Sequence, residues 1–328
     1  MKLLITGANG QLGQALVAAC QVQAIQYVAT TRYSMDISKL EVIKQQLALH
    51  QPNIVVNTAA YTAVDKAEAE PEQAYLMNAI GPKLLAEACA ALQIPLIHIS
   101  TDYVFAGDAK TPYQPSDICE PQSVYGASKL AGEQAIADLL PAHVIIRTAW
   151  LYSEYGHNFA KTMLNLAKVR NQISVVADQI GCPTYAPDLA HVILAVAKKL
   201  LQPSWHRFGV YHFVGSERMS WFEFAKMIMA VRQDCFQPVG STGLSTVLST
   251  VLSPEAIQPD LIPTAEDTIE KTQNLNTKVT PITTAEYPTA AKRPAYSVLN
   301  CQSLLQDFDI KPETTAVLCA VRHMIKVS

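Results

Sequence analysis

Short apolar runs alternate with longer amphipathic stretches through the first half of the chain. The apolar runs predict strands at residues 2–6, 27–31, 54–58, 95–100 and 144–148. The stretches between them repeat apolar residues at helical spacing, as at Leu12, Leu16 and Cys20, or fit helices at residues 82–92 and 127–140. Strands that alternate with helices are typical of βαβ units. We therefore predict an α/β fold with a doubly wound parallel (Rossmann-type) sheet.

The alternation fades after about residue 170. Shorter candidate strands at residues 173–178 and 210–215 lie among loops, which indicates a second, smaller α/β domain. We predict a first domain at residues 1–170, to which the chain returns near 190–218, and a second, substrate-binding domain at residues 171–328.

Residues 238–278 form an unusual insertion in this second domain. The segment carries the tandem "LSTVLSTVLS" followed by a stretch rich in Pro and Thr. Its apolar residues fit helical spacing, but Ser and Thr fill the rest, so helix and low-complexity loop stay equally open. We expect it to lie away from the chemistry.

Composition excludes several classes of partner and site. The chain has 328 residues, is 49% hydrophobic and 16% charged, and has a net charge of −3, so no basic field is present to bind nucleic acid. Seven cysteines without a C-x-x-C pair argue against a disulfide framework and a zinc site. Neither a signal peptide nor a membrane span is expected, which predicts a cytoplasmic protein.

A glycine-rich turn lies between the first predicted strand and the first predicted helix. The sequence "TGANGQLG" places Gly7, Gly10 and Gly13 where a dinucleotide-binding fold needs a tight turn, close approach of pyrophosphate and a helix N-terminus facing the anion. The turn therefore predicts a nicotinamide cofactor. The predicted cofactor-binding residues are Gly7, Asn9, Gly10, Gln11, Leu12, Gly13, Arg32, Asp36, Ile37, Ala59, Ala60, Tyr61 and Lys129.

The end of the second strand bears on the choice of cofactor. An acidic residue there would hold the ribose hydroxyls of NAD, whereas a basic one accepts the 2′-phosphate of NADP. This strand ends in Thr31-Arg32, which favours NADPH, while a solvated arginine and the use of NADH stay open.

Two further motifs carry the candidate chemistry. The fourth strand ends in "STDYVFAG", which places Thr101 at the carboxyl edge of the sheet, and "VYGASK" follows with Tyr125 and Lys129 on one helical face. A tyrosine titrates near pH 10 until a neighbour lowers its pKa, and a cation such as Lys129 is one means of doing so. A hydroxyl beside a carbonyl, a tyrosine acid and a lysine form a set suited to hydride transfer.

These motifs, with "NTAAYTAVDKAE", "RTAWLY", "DQIGCPTYAPDLA" and "KRPAYSVLN", carry a family resemblance over nearly the whole chain. The chain resembles the extended short-chain dehydrogenases/reductases, and within them the dTDP-4-dehydrorhamnose reductases. The resemblance implies NADPH-dependent reduction of the 4-keto group of a dTDP-sugar to dTDP-L-rhamnose, which supplies rhamnose for surface polysaccharide.

The resemblance also implies roles for single residues. Thr101 holds the 4-oxygen, Tyr125 donates a proton to it, and Lys129 also binds the nicotinamide ribose. Tyr103, Val104 and Trp150 are the expected contacts of the sugar. Arg293 is predicted to pair with the diphosphate, with simple surface exposure as the alternative.

Other functions stay open beside this one. The fold also fits a reductase or epimerase of another nucleotide-deoxysugar, and a non-catalytic NADP-binding regulatory subunit. A 4,6-dehydratase is disfavoured because Tyr103, and not a glutamate, follows Asp102. No metal is expected, since Gln14-Ala15 stands where some family members carry a metal-binding glutamate. A homodimer is an open possibility, and His98 is expected to be a hydrogen-bonded core residue.

Overall fold

Residues 1–236, 277–311 and 314–327 are described by the structure, a computed structural model. Their strands are β1 (Lys2–Thr6), β2 (Gln26–Ala29), β3 (Ile54–Asn57), β4 (Leu96–Thr101), β5 (His143–Thr148), β6 (Leu151–Tyr152), β7 (Gln172–Val176), β8 (Ile180–Gly181), β9 (Thr184–Tyr185), β10 (Gly209–His212), β11 (Met219–Ser220) and β12 (Lys278–Ile282). The predictions for the insertion fall almost wholly outside these residues.

The α-helices of the same residues alternate with the strands of the first half. They are α1 (Gln11–Val22), α2 (Leu40–His50), α3 (Val64–Ala69), α4 (Pro71–Tyr75), α5 (Gly81–Ala91), α6 (Val124–Leu139), α7 (Phe159–Val169), α8 (Ala186–Leu200), α9 (Trp221–Phe236), α10 (Gln302–Asp307) and α11 (Val317–Val327). A π-helical turn, Leu76–Ile80, joins α4 to α5.

Six of the described strands form one parallel sheet in the order β10-β5-β4-β3-β1-β2. The order reverses direction after β1, which is the doubly wound arrangement. The predicted fold class is therefore confirmed. β10 pairs with β5, so residues 209–212 lie in this main sheet.

Alternation of side chains along the strands builds a core on both faces of the sheet. Leu3 and Ile5 pack with α1 and α8 on one face. Leu4, between them, packs with α2 and α5 on the other. This explains why the buried strands read as continuous apolar runs instead of alternating ones.

A separate hydrophobic core holds the second part of the protein. Met163 of α7, Phe224 of α9 and Val321 of α11 are buried in it, together with Ile173 of β7. β12 pairs in parallel with β7 beside this core. α7 thus packs in the second core, although it lies within residues 1–170, the predicted first domain.

Among the described residues, no helix is both long and apolar enough to cross a membrane.

The register of the main sheet brings distant polar residues together at its carboxyl edge. Thr6 lies beside Asn57, Asn57 beside His98, and Thr101 beside Thr148. Because parallel strands end at the same edge, the loops that follow β1, β3, β4 and β5 converge there.

Candidate active site

A cavity of about 990 Å³ lies at this carboxyl edge of the sheet. Its walls are the glycine-rich turn after β1, the loop after β3, the end of β4, the first turns of α6, and the segment after β5. The site-lining residues that the sequence predicts are Gly7, Asn9, Gly10, Gln11, Leu12, Gly13, Arg32, Ile37, Ala59, Ala60, Tyr61, Thr101, Tyr103, Tyr125, Lys129 and Trp150. The structure thus brings most of the predicted residues to one cavity.

The glycine-rich turn is built so that no larger residue fits. Gly7 has φ +65°, and a Cβ there would lie 2.7 Å from the backbone nitrogen of Ala59. A Cβ on Gly13 would lie 2.3 Å from the carbonyl oxygen of Gly7. The turn and the N-terminus of α1 behind it form a cradle that fits the pyrophosphate of a dinucleotide.

The side chain of Gln11 ties this turn to the opposite wall of the cavity. Its Nε2 donates to the carbonyl oxygen of Leu151 at 3.1 Å, and its Oε1 accepts from Asn158 Nδ2 at 2.7 Å. Gln11 therefore also fixes the segment after β5. No local pattern marks Asn158 as a site residue, because it lies far along the chain from Gln11.

The loop after β3 is fixed by Asn78. Its Oδ1 accepts from the Tyr61 N–H at 2.8 Å, and its Nδ2 donates to the Tyr61 carbonyl oxygen at 3.0 Å. Asn78 is fully buried in the π-helical turn. Sequence reasoning missed this residue, since nothing near it in the chain marks the contact.

Asp36 does not line the cavity. Its Oδ1 accepts from the backbone N–H of Ser38 at 3.0 Å and from the Ser38 hydroxyl at 2.7 Å. The carboxylate therefore caps its own loop before α2. The predicted contact of Asp36 with the cofactor stays a prediction. Arg32 and Ile37, on either side of it, do lie on the cavity wall.

Thr101 and Tyr125 meet where β4 ends and α6 begins. A Cβ on Gly126 would lie 2.1 Å from the Tyr103 carbonyl oxygen, so glycine lets the first turn of α6 sit against the end of β4. Ser123 caps this helix by accepting from the Gly126 N–H at 3.1 Å. The Tyr125 ring contacts the Tyr103 ring edge-on, with 5.4 Å between ring centroids.

The pKa of Tyr125 departs from its ordinary value in the direction opposite to the prediction. Burial raises the pKa of the phenol to about 12, although a hydrogen bond with Thr101 acts in the other direction. Lys129 does not lower the phenol's pKa here because its Nζ is directed to β4 and not to the phenol. Lys129 Nζ donates to the Ile99 carbonyl oxygen at 2.6 Å and lies 3.2 Å from His98 Nε2.

Asp102 is buried directly behind the candidate catalytic hydroxyls. Its Oδ1 accepts from Thr101 Oγ1 at 3.0 Å, and its Oδ2 accepts from Ser297 Oγ at 2.6 Å. Burial raises the pKa of Asp102 to about 6, while the hydrogen bonds from Ser297 and Thr101 oppose that rise. Ser297 was not predicted, and it is brought here by the segment after β12.

Trp150 lies on the cavity wall in a conformation that other residues enforce. Its backbone has φ +51°, and its ring stacks on Trp221 with 3.5 Å between centroids. A Cβ on Gly181 would lie 2.4 Å from the same ring, so only a glycine leaves room for it. The indole is therefore held between β8 and the start of α9.

Two predicted substrate contacts do not line the cavity. The Val104 side chain is fully buried in a hydrophobic cluster with Phe105 and Tyr113. Arg293 makes a two-pronged ion pair with Asp65, with Nη1 at 2.7 Å and Nη2 at 2.5 Å from the carboxylate oxygens. The guanidinium is half-buried and joins the C-terminal segment to α3, so the alternative of plain surface exposure is wrong. The pairing of Arg293 with the diphosphate stays a prediction.

Two buried hydroxyls beside the catalytic candidates lack partners. Ser100 Oγ and Thr148 Oγ1 line the cavity and form no hydrogen bond with the described residues. Buried polar groups are usually satisfied, so such atoms point to a ligand with polar groups of its own. Together with the glycine cradle, they fit a nicotinamide dinucleotide.

In the described ranges, no group of three or more His, Cys, Asp or Glu residues is placed to hold a metal ion.

Comparisons with known proteins agree with this geometry. The family model of the RmlD substrate binding domain matches residues 1–248 and 261–326. The chain is 39% identical to a dTDP-4-dehydrorhamnose reductase from Sinorhizobium fredii over 312 residues, which cover 95% of this chain and 93% of that protein.

Solved structures give the same result. A dTDP-4-dehydrorhamnose reductase from Clostridium acetobutylicum superposes with a TM-score of 0.81 at 35% identity, covering 100% of this chain and 99% of that one. The enzyme of the same name from Bacillus anthracis, in complex with NADP, superposes with a TM-score of 0.81 at 33% identity and the same coverage.

Proposed function

The chain belongs to the family of the RmlD substrate binding domain, and from that premise we propose that it reduces the 4-keto group of dTDP-4-dehydro-L-rhamnose to dTDP-L-rhamnose. The product would supply rhamnose for surface polysaccharide. The observation that carries the proposal is that Thr101, Tyr125 and Lys129 line the same cavity as the glycine-rich turn.

The reduction needs a proton at the sugar's 4-oxygen, and Tyr125 is the donor. A phenol with a pKa of about 12 is protonated at neutral pH, which is the form that a general acid requires. Thr101 lies within hydrogen-bond reach of Tyr125 and would hold the same oxygen. A bound reduced nicotinamide would supply the hydride, held by the glycine cradle and by Lys129.

The sugar would lie between the two parts of the protein. Tyr103 and Trp150 line the cavity next to Tyr125, and aromatic faces pack well against the apolar side of a sugar ring. Trp221 supports Trp150 from behind. The deoxysugar is thus proposed to contact residues at the edge of the main sheet, one of which is supported by Trp221 of the second core.

NADPH is the proposed cofactor. Arg32 lies on the cavity wall after β2, and the nearby carboxylate of Asp36 is turned toward Ser38 and so does not occupy the ribose position. A guanidinium is suited to the 2′-phosphate that distinguishes NADPH from NADH. The NADP complex of the Bacillus anthracis enzyme supports the same choice.

The test is the loss of reduced-nicotinamide absorbance with freshly made dTDP-4-dehydrorhamnose, measured with NADPH, with NADH and without sugar. We expect turnover, with a lower KM for NADPH. NADPH binding without turnover would contradict the proposal and favour a different keto-sugar or the regulatory subunit.

The role of Arg32 is tested by Arg32→Gln. Loss of a charged hydrogen bond should raise the KM for NADPH by about 10- to 100-fold and leave that for NADH nearly unchanged. Lys44→Gln is the control, because Lys44 is an exposed helix lysine paired with Glu41. An equal effect on both cofactors would contradict the assignment.

The cytoplasmic location and the homodimer stay predictions, and light scattering after gel filtration tests the dimer.

A further inference from the structure

A chain of buried hydrogen bonds runs behind the cavity from β1 to α6. Thr6 Oγ1 donates to Asn57 Oδ1 at 2.5 Å, Asn57 Nδ2 lies 2.9 Å from His98 Nδ1, and His98 Nε2 lies 3.2 Å from Lys129 Nζ. All four side chains are at most 2% exposed. Burial therefore shields these hydrogen bonds from bulk solvent, and each proton in the series can be assigned from its partners.

The orientation of the Asn57 amide is fixed by the backbone. The Ala59 N–H donates to Asn57 Oδ1 at 3.2 Å, and a backbone N–H can only donate. If the amide were turned over, its NH₂ would face the Ala59 N–H. Nδ2 is therefore the atom that faces His98, and it is a donor.

The Asn57 amide in turn fixes the tautomer of His98. Because Nδ2 donates, His98 Nδ1 accepts and carries no proton. Burial and the neighbouring Lys129 hold the pKa of His98 well below its usual range, so the ring is neutral. A neutral imidazole keeps one proton, which must then be on Nε2, the atom that faces Lys129.

This tautomer makes the contact with Lys129 depend on the charge of the lysine. A neutral amine has a lone pair that accepts from Nε2–H while the amine donates to the Ile99 carbonyl oxygen at 2.6 Å. An ammonium has three donors and no acceptor, so against Nε2–H it forms no hydrogen bond.

We propose that His98 is a positioning residue for Lys129: with its proton fixed on Nε2 by Asn57, it binds the neutral amine and releases the ammonium toward the cavity and Tyr125. The role rests on the proposed reductase function, since Lys129 is its candidate cofactor-binding and catalytic lysine. Lys129 already lines the cavity, so the released ammonium needs only a side-chain rotation to face it.

The other charged groups around His98 and Lys129 are held by partners of their own. The contact with His98 is therefore the one that distinguishes the amine from the ammonium. Glu133, one turn further along α6, favours the ammonium, but its carboxylate is held by Arg147 of β5 at 2.6 Å. His143, which also faces His98, is directed to the Leu140 carbonyl oxygen at 2.5 Å. Burial lowers the pKa of Lys129 to about 8, so both charge states are accessible near neutral pH.

The first test is nitrogen-15 NMR of the full chain with labelled histidine, which distinguishes a protonated from a bare ring nitrogen. The resonances of His98 are those absent from His98→Gln. We expect a protonated Nε2 and a bare Nδ1, without any substrate present. A protonated Nδ1 with a bare Nε2 would overturn the proposal, whatever the enzyme's substrate proves to be.

The second test follows the charge of Lys129 by carbon-13 NMR of lysine labelled at Cε, assigned by the signal lost in Lys129→Arg. In His98→Gln the new amide can present its oxygen to the lysine and accept a hydrogen bond from the ammonium. The pH midpoint of the Lys129 titration should therefore rise by about one unit, which corresponds to the free energy of about one hydrogen bond. His143→Gln is the matched control, a buried histidine on the neighbouring strand, and should leave the midpoint in place. An unchanged midpoint in a folded His98→Gln protein would overturn the role of His98.

Discussion

Ser297 donates its hydroxyl to Asp102 Oδ2 across 2.6 Å, although 195 positions separate the two residues. The other oxygen of the same carboxylate accepts from Thr101, which contacts Tyr125. The segment after β12 thereby sets the orientation of the candidate catalytic hydroxyls. A contact made by the second part of the protein completes the site on the main sheet.

Asp102 should give the protein a pH-dependent stability of a specific sign. Its pKa is raised to about 6 in the folded protein, whereas an unfolded aspartate titrates near pH 3.9. The stabilising contribution is therefore present below about pH 4 and is lost as the pH rises through about 6, about 3 kcal/mol in all.

Asp102→Asn tests this by removing the titration. Between about pH 4 and pH 7 the free energy of unfolding of the wild type should fall by about 2 kcal/mol relative to the variant. Urea unfolding at a series of pH values measures it. Parallel pH profiles for the two proteins would show that the carboxyl is not perturbed. Ser297→Ala should extend the window to higher pH, because it removes a hydrogen bond that stabilises the carboxylate.

Tyr125→Phe should lower kcat by about 100- to 10,000-fold, the usual contribution of a general acid. NADPH binding, followed by fluorescence, should change little because the ring and its edge-on contact with Tyr103 are retained. A comparable loss of binding and turnover would indicate structural damage instead.

Gly181→Ala should displace Trp150 from the cavity wall. The new Cβ would lie 2.4 Å from the indole, which Trp221 confines on its other side. We expect a raised KM for the sugar and altered tryptophan fluorescence, with cofactor affinity preserved. Gly215→Ala is a matched control, since its Cβ would clash with the Pro183 carbonyl oxygen at 2.0 Å and its nearest neighbours are backbone atoms of Pro183 and Thr184. Identical effects of both variants on KM would argue against a role for the indole position.

Glu133→Gln should destabilise the protein by about 3–5 kcal/mol, the usual cost of leaving one charge of a buried pair unpaired. Glu133 and Arg147 are each 3% exposed and join α6 to β5. Glu41→Gln breaks an exposed pair with Lys44 and should cost less than about 1 kcal/mol. Chemical denaturation of the two variants compares them directly, and equal costs would contradict the assignment of a buried pair.

Much of the main sheet could be predicted because its signals are local. The apolar runs at residues 2–6 and 54–58 give β1 and β3 within one residue, and the family resemblance carried by the short motifs is confirmed by the family match. Residues 210–215 were a weaker signal, and only strand pairing placed β10 beside β5. The insertion lies almost wholly outside the described residues.

By itself the sequence determined what depends on near neighbours in the chain. It specified the glycines that a tight phosphate-binding turn requires and the spacing that puts Tyr125 and Lys129 on one face of α6, because turn and helix geometry are set within a few residues. The tertiary structure alone decided which partners those side chains meet. Lys129 turns to Ile99 and His98, Asp102 receives Ser297, and Arg293 pairs with Asp65. These contacts join residues that are distant in sequence, and they depend on the register of the strands and on the packing of two cores, which no local pattern encodes.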